Sequence, residues 1–258
     1  MAKLVFVTGA SSGIGQALAR RFYQAGYSLA LVARRTAEVE QWASAAGMDK
    51  RRYQVYHAEL SVIDSIVSAG RQCLERQGVP EVVVASAGIS IGVDTEHRED
   101  IDVIARTFAV NNVGMAATFH PFVGPMKQRG SGTFVGIASV NAIRGIPGHG
   151  ANCPSKAAVV NYCESLRGEL RSAGIKVVTI CPGYVDTPLT QGNDYSMPFL
   201  MSAVAFSDRA FRTIESGVSY RVIPWQMAIL AKLLRLLPNF LFDRLLAGRS
   251  RKRRASEA

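Results

Sequence analysis

Short apolar runs recur along the chain at 4–7, 28–33, 53–58, 82–85, 133–138, 176–180 and 220–223. Each is mostly apolar on both faces, as parallel strands covered by helices on either side should be. Between them, stretches 13–25, 36–46, 62–77, 101–128, 154–173 and 208–216 read as helices. The alternation predicts a doubly wound, Rossmann-like α/β fold with a parallel sheet of about seven strands and helices on both faces. The connection 183–207 has no clear period, and loops of that length in compact domains are usually lids or binding loops. One domain is expected over 1–224, followed at 225–258 by an apolar helical extension with a basic tail.

Charge changes this picture at one end. The chain of 258 residues carries a formal charge of +10. Segment 225–258 holds Lys232, Arg235, Arg244, Arg249, Arg251, Lys252, Arg253 and Arg254 against Asp243 and Glu257, so +6 of the total lies there. A nucleic-acid groove spread over the body is therefore not expected, and a tail used that way would show salt-sensitive binding. The extension is apolar nearly all round, but Lys232, Arg235, Pro238 and the Asp243-Arg244 pair interrupt it, which favours two helices hinged at Pro238 over a membrane span. Two readings stay open for 225–254: packing over the cleft or a sister subunit, or peripheral contact with an anionic membrane surface. Stretch 248–258 has the composition of a disordered tail.

Cys73, Cys153, Cys163 and Cys181 show no paired metal spacing, and the N-terminal apolar run is too short for a secretory segment. Reduced thiols in a cytoplasmic protein are expected, with the inner membrane as the alternative for a peripheral contact.

Gly9, Gly13 and Gly15 fall at a strand-to-helix junction in VFVTGASSGIGQALA. Glycines there let the backbone approach a pyrophosphate, and the helix N-terminus supplies unpaired N–H groups. The stretch Thr8-Gly9-Ala10-Ser11-Ser12-Gly13-Ile14-Gly15 resembles the cofactor motif of the short-chain dehydrogenase/reductase family. Further motifs follow in the family's order: Ala87-Gly88, Asn111-Asn112-Val113-Gly114, Ser139, Lys156, and Pro182-Gly183-Tyr184-Val185-Asp186-Thr187. Together they span residues 4–190.

The resemblance implies a nicotinamide nucleotide held by Gly9, Ser11, Ser12, Gly13, Ile14 and Gly15. Glu59 stands where the family carries an adenine-contacting Asp, and Leu60, Ala87, Gly88, Pro182, Gly183, Val185 and Thr187 are further cofactor contacts that the resemblance implies. Ala33 fills the slot where a carboxylate would accept a ribose 2′-hydroxyl, and Arg34 and Arg35 follow it. Arginine pairs with a 2′-phosphate, so NADP(H) is favoured over NAD(H), the alternative being arginines that only solvate the next helix start.

For catalysis the resemblance assigns Ser139 to the substrate carbonyl, Lys156 to the nicotinamide ribose and Asn111 to a water relaying protons. A tyrosine is expected four residues before the lysine, where an ammonium one turn away stabilises phenolate. Asn152 stands there instead. An amide donates a hydrogen bond but does not release its proton near neutral pH. His149 and Tyr184 are the candidate substitutes, each also readable as a wall residue. Pro154 fits a first helical turn, and Ser86 replaces an asparagine that bridges strands in the family.

These implications describe an oxidoreductase interconverting a ketone and a secondary alcohol with impaired proton transfer, acting as a homodimer or homotetramer. Met197, Pro198, Phe199, Leu200 and Met201 suggest a hydrophobic lid and an apolar substrate such as a bulky ketone or 3-oxoacyl chain. The rival is a catalytically silent nucleotide-binding or scaffold protein.

Overall fold

The computed structural model describes residues 2–193, 195–248 and 251–257. Its strands are β1 (Leu4–Thr8), β2 (Ser28–Ala33), β3 (Tyr53–His57), β4 (Val82–Ala85), β5 (Gly132–Ile137), β6 (Ile175–Pro182), β7 (Val185–Asp186), β8 (Met201–Ser202) and β9 (Tyr220–Ile223). Seven form one sheet in the order β3-β2-β1-β4-β5-β6-β9, every neighbouring pair parallel. The order reverses between β1 and β4. A crevice opens at such a switch point, outside the carboxyl ends of the strands.

The helices are α1 (Gly13–Gln24), α2 (Thr36–Ala45), α3 (Ile63–Arg76), α4 (Arg98–Phe108), α5 (Gly114–Arg129), α6 (Asn152–Leu170), α7 (Pro188–Gln191), α8 (Ala203–Ser216), α9 (Trp225–Leu236) and α10 (Asn239–Leu246). They form two layers, and the period-2 alternation of the strands decides which side chain meets which layer. On β1, Leu4 and Phe6 join a core with α3, α5, α6 and α9, whereas Val5 and Val7 join α1, α2 and α8 on the other face. The same alternation on β4 sends Val83 one way and Val84 the other. Buried rings tie α5 to the sheet, with Phe6 4.8 Å from Phe122 and Phe119 4.9 Å from Phe134, centroid to centroid.

Several boundaries differ from the sequence expectation, each for a local reason. The long helix over 101–128 is two helices, α4 and α5, joined by a π turn at Ala109–Val113. α8 begins at Ala203 because the Ser202 hydroxyl caps it, accepting from the Ala205 N–H at 3.2 Å. The aperiodic connection 183–207 contains β7, α7 and β8; its Asp194 lies outside the described residues.

The C-terminal helices break at Pro238 as the sequence suggests, but α9 is not detached. Met227 and Ala231 are buried in the main core. Arg144 clamps the hinge: its guanidinium donates to the carbonyls of Leu234 and Leu237 and to Asn239 Oδ1, and stacks 3.7 Å from the Phe242 ring. Beyond them the chain turns back. Stretch 251–254, of disordered composition, is docked by ion pairs from Arg251 to Asp94 and from Arg254 to Glu99 and Asp100. Arg249, part of the basic cluster, lies outside the described residues.

Candidate active site

The crevice at the switch point holds a cavity of about 400 Å³. Its floor is the β1–α1 turn, where Gly9, Ser11, Ser12, Gly13, Ile14 and Gly15 all reach the wall. Two glycines there have no room for a side chain. A Cβ on Gly15 would lie 2.3 Å from the Gly9 carbonyl oxygen, and one on Gly9, at φ +72°, would lie 2.9 Å from Ala87 Cα. α1 carries no acidic residue in its first turn, and the Ser12 side chain makes no cap bond, so the positive helix end faces the crevice uncompensated. An anionic pyrophosphate fits this cradle.

Arg34 and Arg35 line the far side with Ala33, Glu59 and Leu60. Both guanidiniums are already paired, Arg34 loosely with Glu59 at 3.4 Å and Arg35 closely with Glu38 at 2.7 Å; Arg35 also reaches Ser11 Oγ at 3.4 Å. The Glu59 carboxyl is held below its ordinary range by hydrogen bonds from Ser61 and by Arg34, which outweigh its partial burial. Ala87, Gly88 and Thr187 complete the wall, and Arg106 and Val110, which the motifs did not mark, join it.

Ser86 Oγ is buried without a hydrogen-bond partner. The strand bridge is made from the other side: Thr8 Oγ1 accepts from the N–H groups of Ser86 and Ala87, at 3.2 and 3.3 Å. The short serine therefore leaves the turn after β4 held by β1 instead of by its own side chain.

A second cavity of about 140 Å³ adjoins the first, sharing Ile14, Ser86, Gly88 and Thr187 with it. Ser139, Asn152 and Lys156 all line it, as do Pro182, Gly183 and Val185. Ser139 follows the end of β5 and accepts from the Asn141 N–H at 3.1 Å, a bond that leaves its own O–H hydrogen unused. Lys156 Nζ donates to the Ile137 carbonyl at 2.9 Å, and burial pulls its pKa down to about 8. Asn152, the first residue of α6, is buried, and among the described residues no hydrogen bond engages its side-chain amide.

Asn111 does not line either cavity. It sits behind Gly88 in the π turn, where its Oδ1 accepts from the Ile89 N–H at 2.9 Å and its Nδ2 donates to the Ile89 carbonyl and to Ser155 Oγ, both at 3.0 Å. A Cβ on Gly88 would come within 3.1 Å of Asn111 Oδ1 and 3.4 Å of Lys156 Nζ, so these two groups face each other across that glycine. π turns inside helices are frequent at functional sites, and this one aims an amide at α6.

His149 and Tyr184 both reach the second cavity. His149 Nδ1 lies 3.2 Å from the Pro147 carbonyl, so that nitrogen carries the hydrogen and Nε2 is left to accept, with Tyr195 Oη 3.5 Å away. Burial lowers its pKa, which keeps the ring neutral. The five apolar residues 197–201 line neither cavity; Phe199 and Leu200 are half exposed. The wall is made instead by Thr190, Asn193 and Tyr195, ahead of the apolar run, and by Lys252 from the chain end. No periodicity marks Tyr195 or Lys252: Tyr195 meets His149 across 46 residues of chain, and the ion pairs flanking Lys252 span 157 and 154 residues.

The family model for short chain dehydrogenases matches residues 3–196. This protein belongs to that family. An uncharacterized oxidoreductase of Myxococcus xanthus is 32% identical over 244 residues, covering 93% of this chain and 95% of its own. A dehydrogenase/reductase SDR family protein 7-like of Anopheles gambiae is 36% identical over 193 residues, 73% of this chain and 61% of that one. Among solved structures, an alcohol dehydrogenase of Thermococcus sibiricus complexed with 5-hydroxy-NADP superposes with a TM-score of 0.74 at 25% identity, covering 86% of this chain and 96% of that one. A Burkholderia cenocepacia short chain dehydrogenase in complex with NADP shares the fold, with a TM-score of 0.81 at 18% identity and coverage of 96% and 98%. The chain is thus an oxidoreductase of the kind that acts on CH–OH groups with a nicotinamide nucleotide.

Proposed function

We propose that this short-chain dehydrogenase is an NADP(H)-dependent enzyme interconverting a ketone and a secondary alcohol, with its proton transfer slowed by Asn152. The observation that carries the reading is the convergence of Ser139, Asn152 and Lys156 on one cavity that opens into the nucleotide crevice. When bound, the nucleotide supplies or accepts the hydride. Arg34 and Arg35 at the crevice mouth, with alanine where a carboxylate would repel a 2′-phosphate, support NADP(H) over NAD(H).

Ser139 donates its unused O–H to the substrate carbonyl oxygen, and the unengaged Asn152 amide supplies a second donor to the same oxygen. Lys156 would hold the nicotinamide ribose when the nucleotide binds, and with Asn111 behind Gly88 it would mark the route by which protons return from solvent. Asn152 stands where the family's tyrosine would act. A neutral His149, with its hydrogen committed to Pro147, does not replace that acid. Because a positioned general acid contributes roughly 10²- to 10⁴-fold, turnover is reduced by about that order, while nucleotide binding is not.

Oxidation of NADPH and NADH with a panel of ketones, in parallel with calorimetric titration of both nucleotides, tests the reading. Saturable NADPH binding with slow, ketone-dependent oxidation is the expected result. Binding with no oxidation, in both the wild type and Asn152→Tyr, makes the chain a silent nucleotide binder. Sedimentation tests the homodimer or homotetramer that the family resemblance implies.

A second reading, peripheral contact with an anionic membrane through 225–254, is favoured by one face of α9 and α10. Trp225, Ile229, Leu233 and Leu236 recur at helical spacing on α9 and are exposed, Leu236 at 80%, and Phe240 on α10 is 70% exposed. No helix among the described residues is long and apolar enough to cross a membrane. Flotation with phosphatidylserine vesicles, lost on Leu236→Glu with Phe240→Glu, is the expected result; a dimer dissociated by the same pair of substitutions assigns the face to a sister subunit.

A further inference from the structure

The returning C-terminal stretch 251–254 brings a cation into the substrate cavity. Stretch 251–254 lies along the loop after β4: the Gly92 N–H donates to the Arg253 carbonyl at 2.9 Å, and the Val93 N–H of the same loop donates to the Gly148 carbonyl at 3.1 Å. The approach is backbone to backbone, since a Cβ on Gly92 would fall 2.1 Å from the Lys252 carbonyl oxygen. Side chains lock it in place. Arg254 closes on Asp100, whose side chain is 2% exposed, at 2.7 Å and on Glu99 at 2.9 Å, and Arg251 reaches Asp94 at 3.0 Å.

Lys252 lies between these anchors and is treated differently. It lines the cavity with Ser139, His149 and Asn152, and among the described residues no carboxylate pairs with it. No Asp or Glu is found in the described wall of this cavity; its other cation, Lys156, is held by the Ile137 carbonyl. The Lys252 charge is partly desolvated, which lowers its pKa, and it opposes protonation of His149. Partial burial of an ammonium without a counter-ion is unfavourable, and a ligand that brings the counter-ion recovers that cost through a charge-assisted hydrogen bond.

We infer that Lys252 reads an anionic group, so that the substrate is a carbonyl compound bearing a carboxylate, held between Lys252 and the Ser139–Asn152 pair. This rests on and deepens the reductase reading, and adds an anionic group to the apolar carbonyl substrate expected from the sequence.

The test has one arm that needs turnover and one that does not. In the first, the ratio of kcat/KM for benzoylformate to that for methyl benzoylformate is measured in the wild type, Lys252→Gln and Lys252→Arg. In the second, benzoate and benzamide are titrated calorimetrically into the NADP⁺-saturated protein. The expected result is a preference of roughly 10- to 100-fold for the acid and for benzoate, abolished in Lys252→Gln and retained in Lys252→Arg. Arg254→Met, which frees the strand without touching the cavity wall, reduces the same preference. Benzoate binding no better than benzamide, including no binding of either, overturns the inference, as does a preference that survives Lys252→Gln. Equal losses for acid and ester overturn it too, by making Lys252 a proton donor. Absence of turnover alone, with benzoate still preferred, counts against the reductase reading and leaves the anion site standing.

Discussion

Lys156 Nζ donates to the carbonyl of Ile137 at 2.9 Å, so the ammonium of α6 is pinned to the strand end two residues before Ser139. Hydroxyl and ammonium are therefore both tied to the carboxyl end of β5. Positioning on rigid elements is what a carbonyl-orienting site requires.

A pH dependence follows. Lys156 loses its proton at about pH 8 in the folded protein, against 10.5 for an ordinary lysine. Between those values the unfolded chain binds more protons than the folded one, so this group makes stability rise with pH across that window. Urea midpoints of the nucleotide-free protein, compared with Lys156→Met, are expected to show an upward difference in slope from about pH 8 to about pH 10. Parallel profiles would show that the ammonium is not desolvated.

Asn152→Tyr is expected to raise kcat for ketone reduction by about 10²- to 10⁴-fold, with little change in NADPH affinity. One turn along α6, Lys156 stabilises the phenolate that forms when the proton leaves. Single-turnover oxidation of NADPH measures the chemical step directly.

Reversing charge at the crevice mouth tests nucleotide choice. Arg35→Glu is expected to weaken NADPH binding by roughly 10- to 100-fold while sparing NADH, since a 2′-phosphate loses a charge-assisted partner and meets a carboxylate. Equal weakening of both nucleotides would place Arg35 elsewhere than at the 2′ position.

Gly15→Ala puts a methyl group 2.3 Å from the Gly9 carbonyl oxygen, where only backbone can give way. A loss of about 1–3 kcal/mol is expected from overpacking, with nucleotide binding lost as the turn shifts. Chemical denaturation and calorimetry check the two effects separately.

Arg144→Ala removes the clamp on the α9–α10 hinge. Charged hydrogen bonds are worth about 1.5–3 kcal/mol each where partly buried, less where solvent competes, so the C-terminal helices are expected to loosen before the sheet does. Limited proteolysis with new cleavage inside 225–248 is the readout.

The seven-stranded parallel sheet, its covering helices and the glycine turn were legible in the sequence because they depend on short-range rules. A buried strand is apolar on both faces, a helix repeats every three to four residues, and a turn that meets phosphate excludes side chains. Asn152 and Lys156 were legible for the same reason, since residues one turn apart share a helix face wherever the helix goes, and the order of family motifs marked Ser139 after β5. Chain direction after β4 and after α10 obeys no such rule. It took the packed molecule to pair Arg254 with Asp100, to turn Tyr195 toward His149, to retire the apolar run 197–201 from the cavity wall, and to bring Lys252 to the site. These contacts join residues far apart in the chain, and their energy comes from the solvent and charge that each side chain meets after the sheet has formed, which no local pattern encodes.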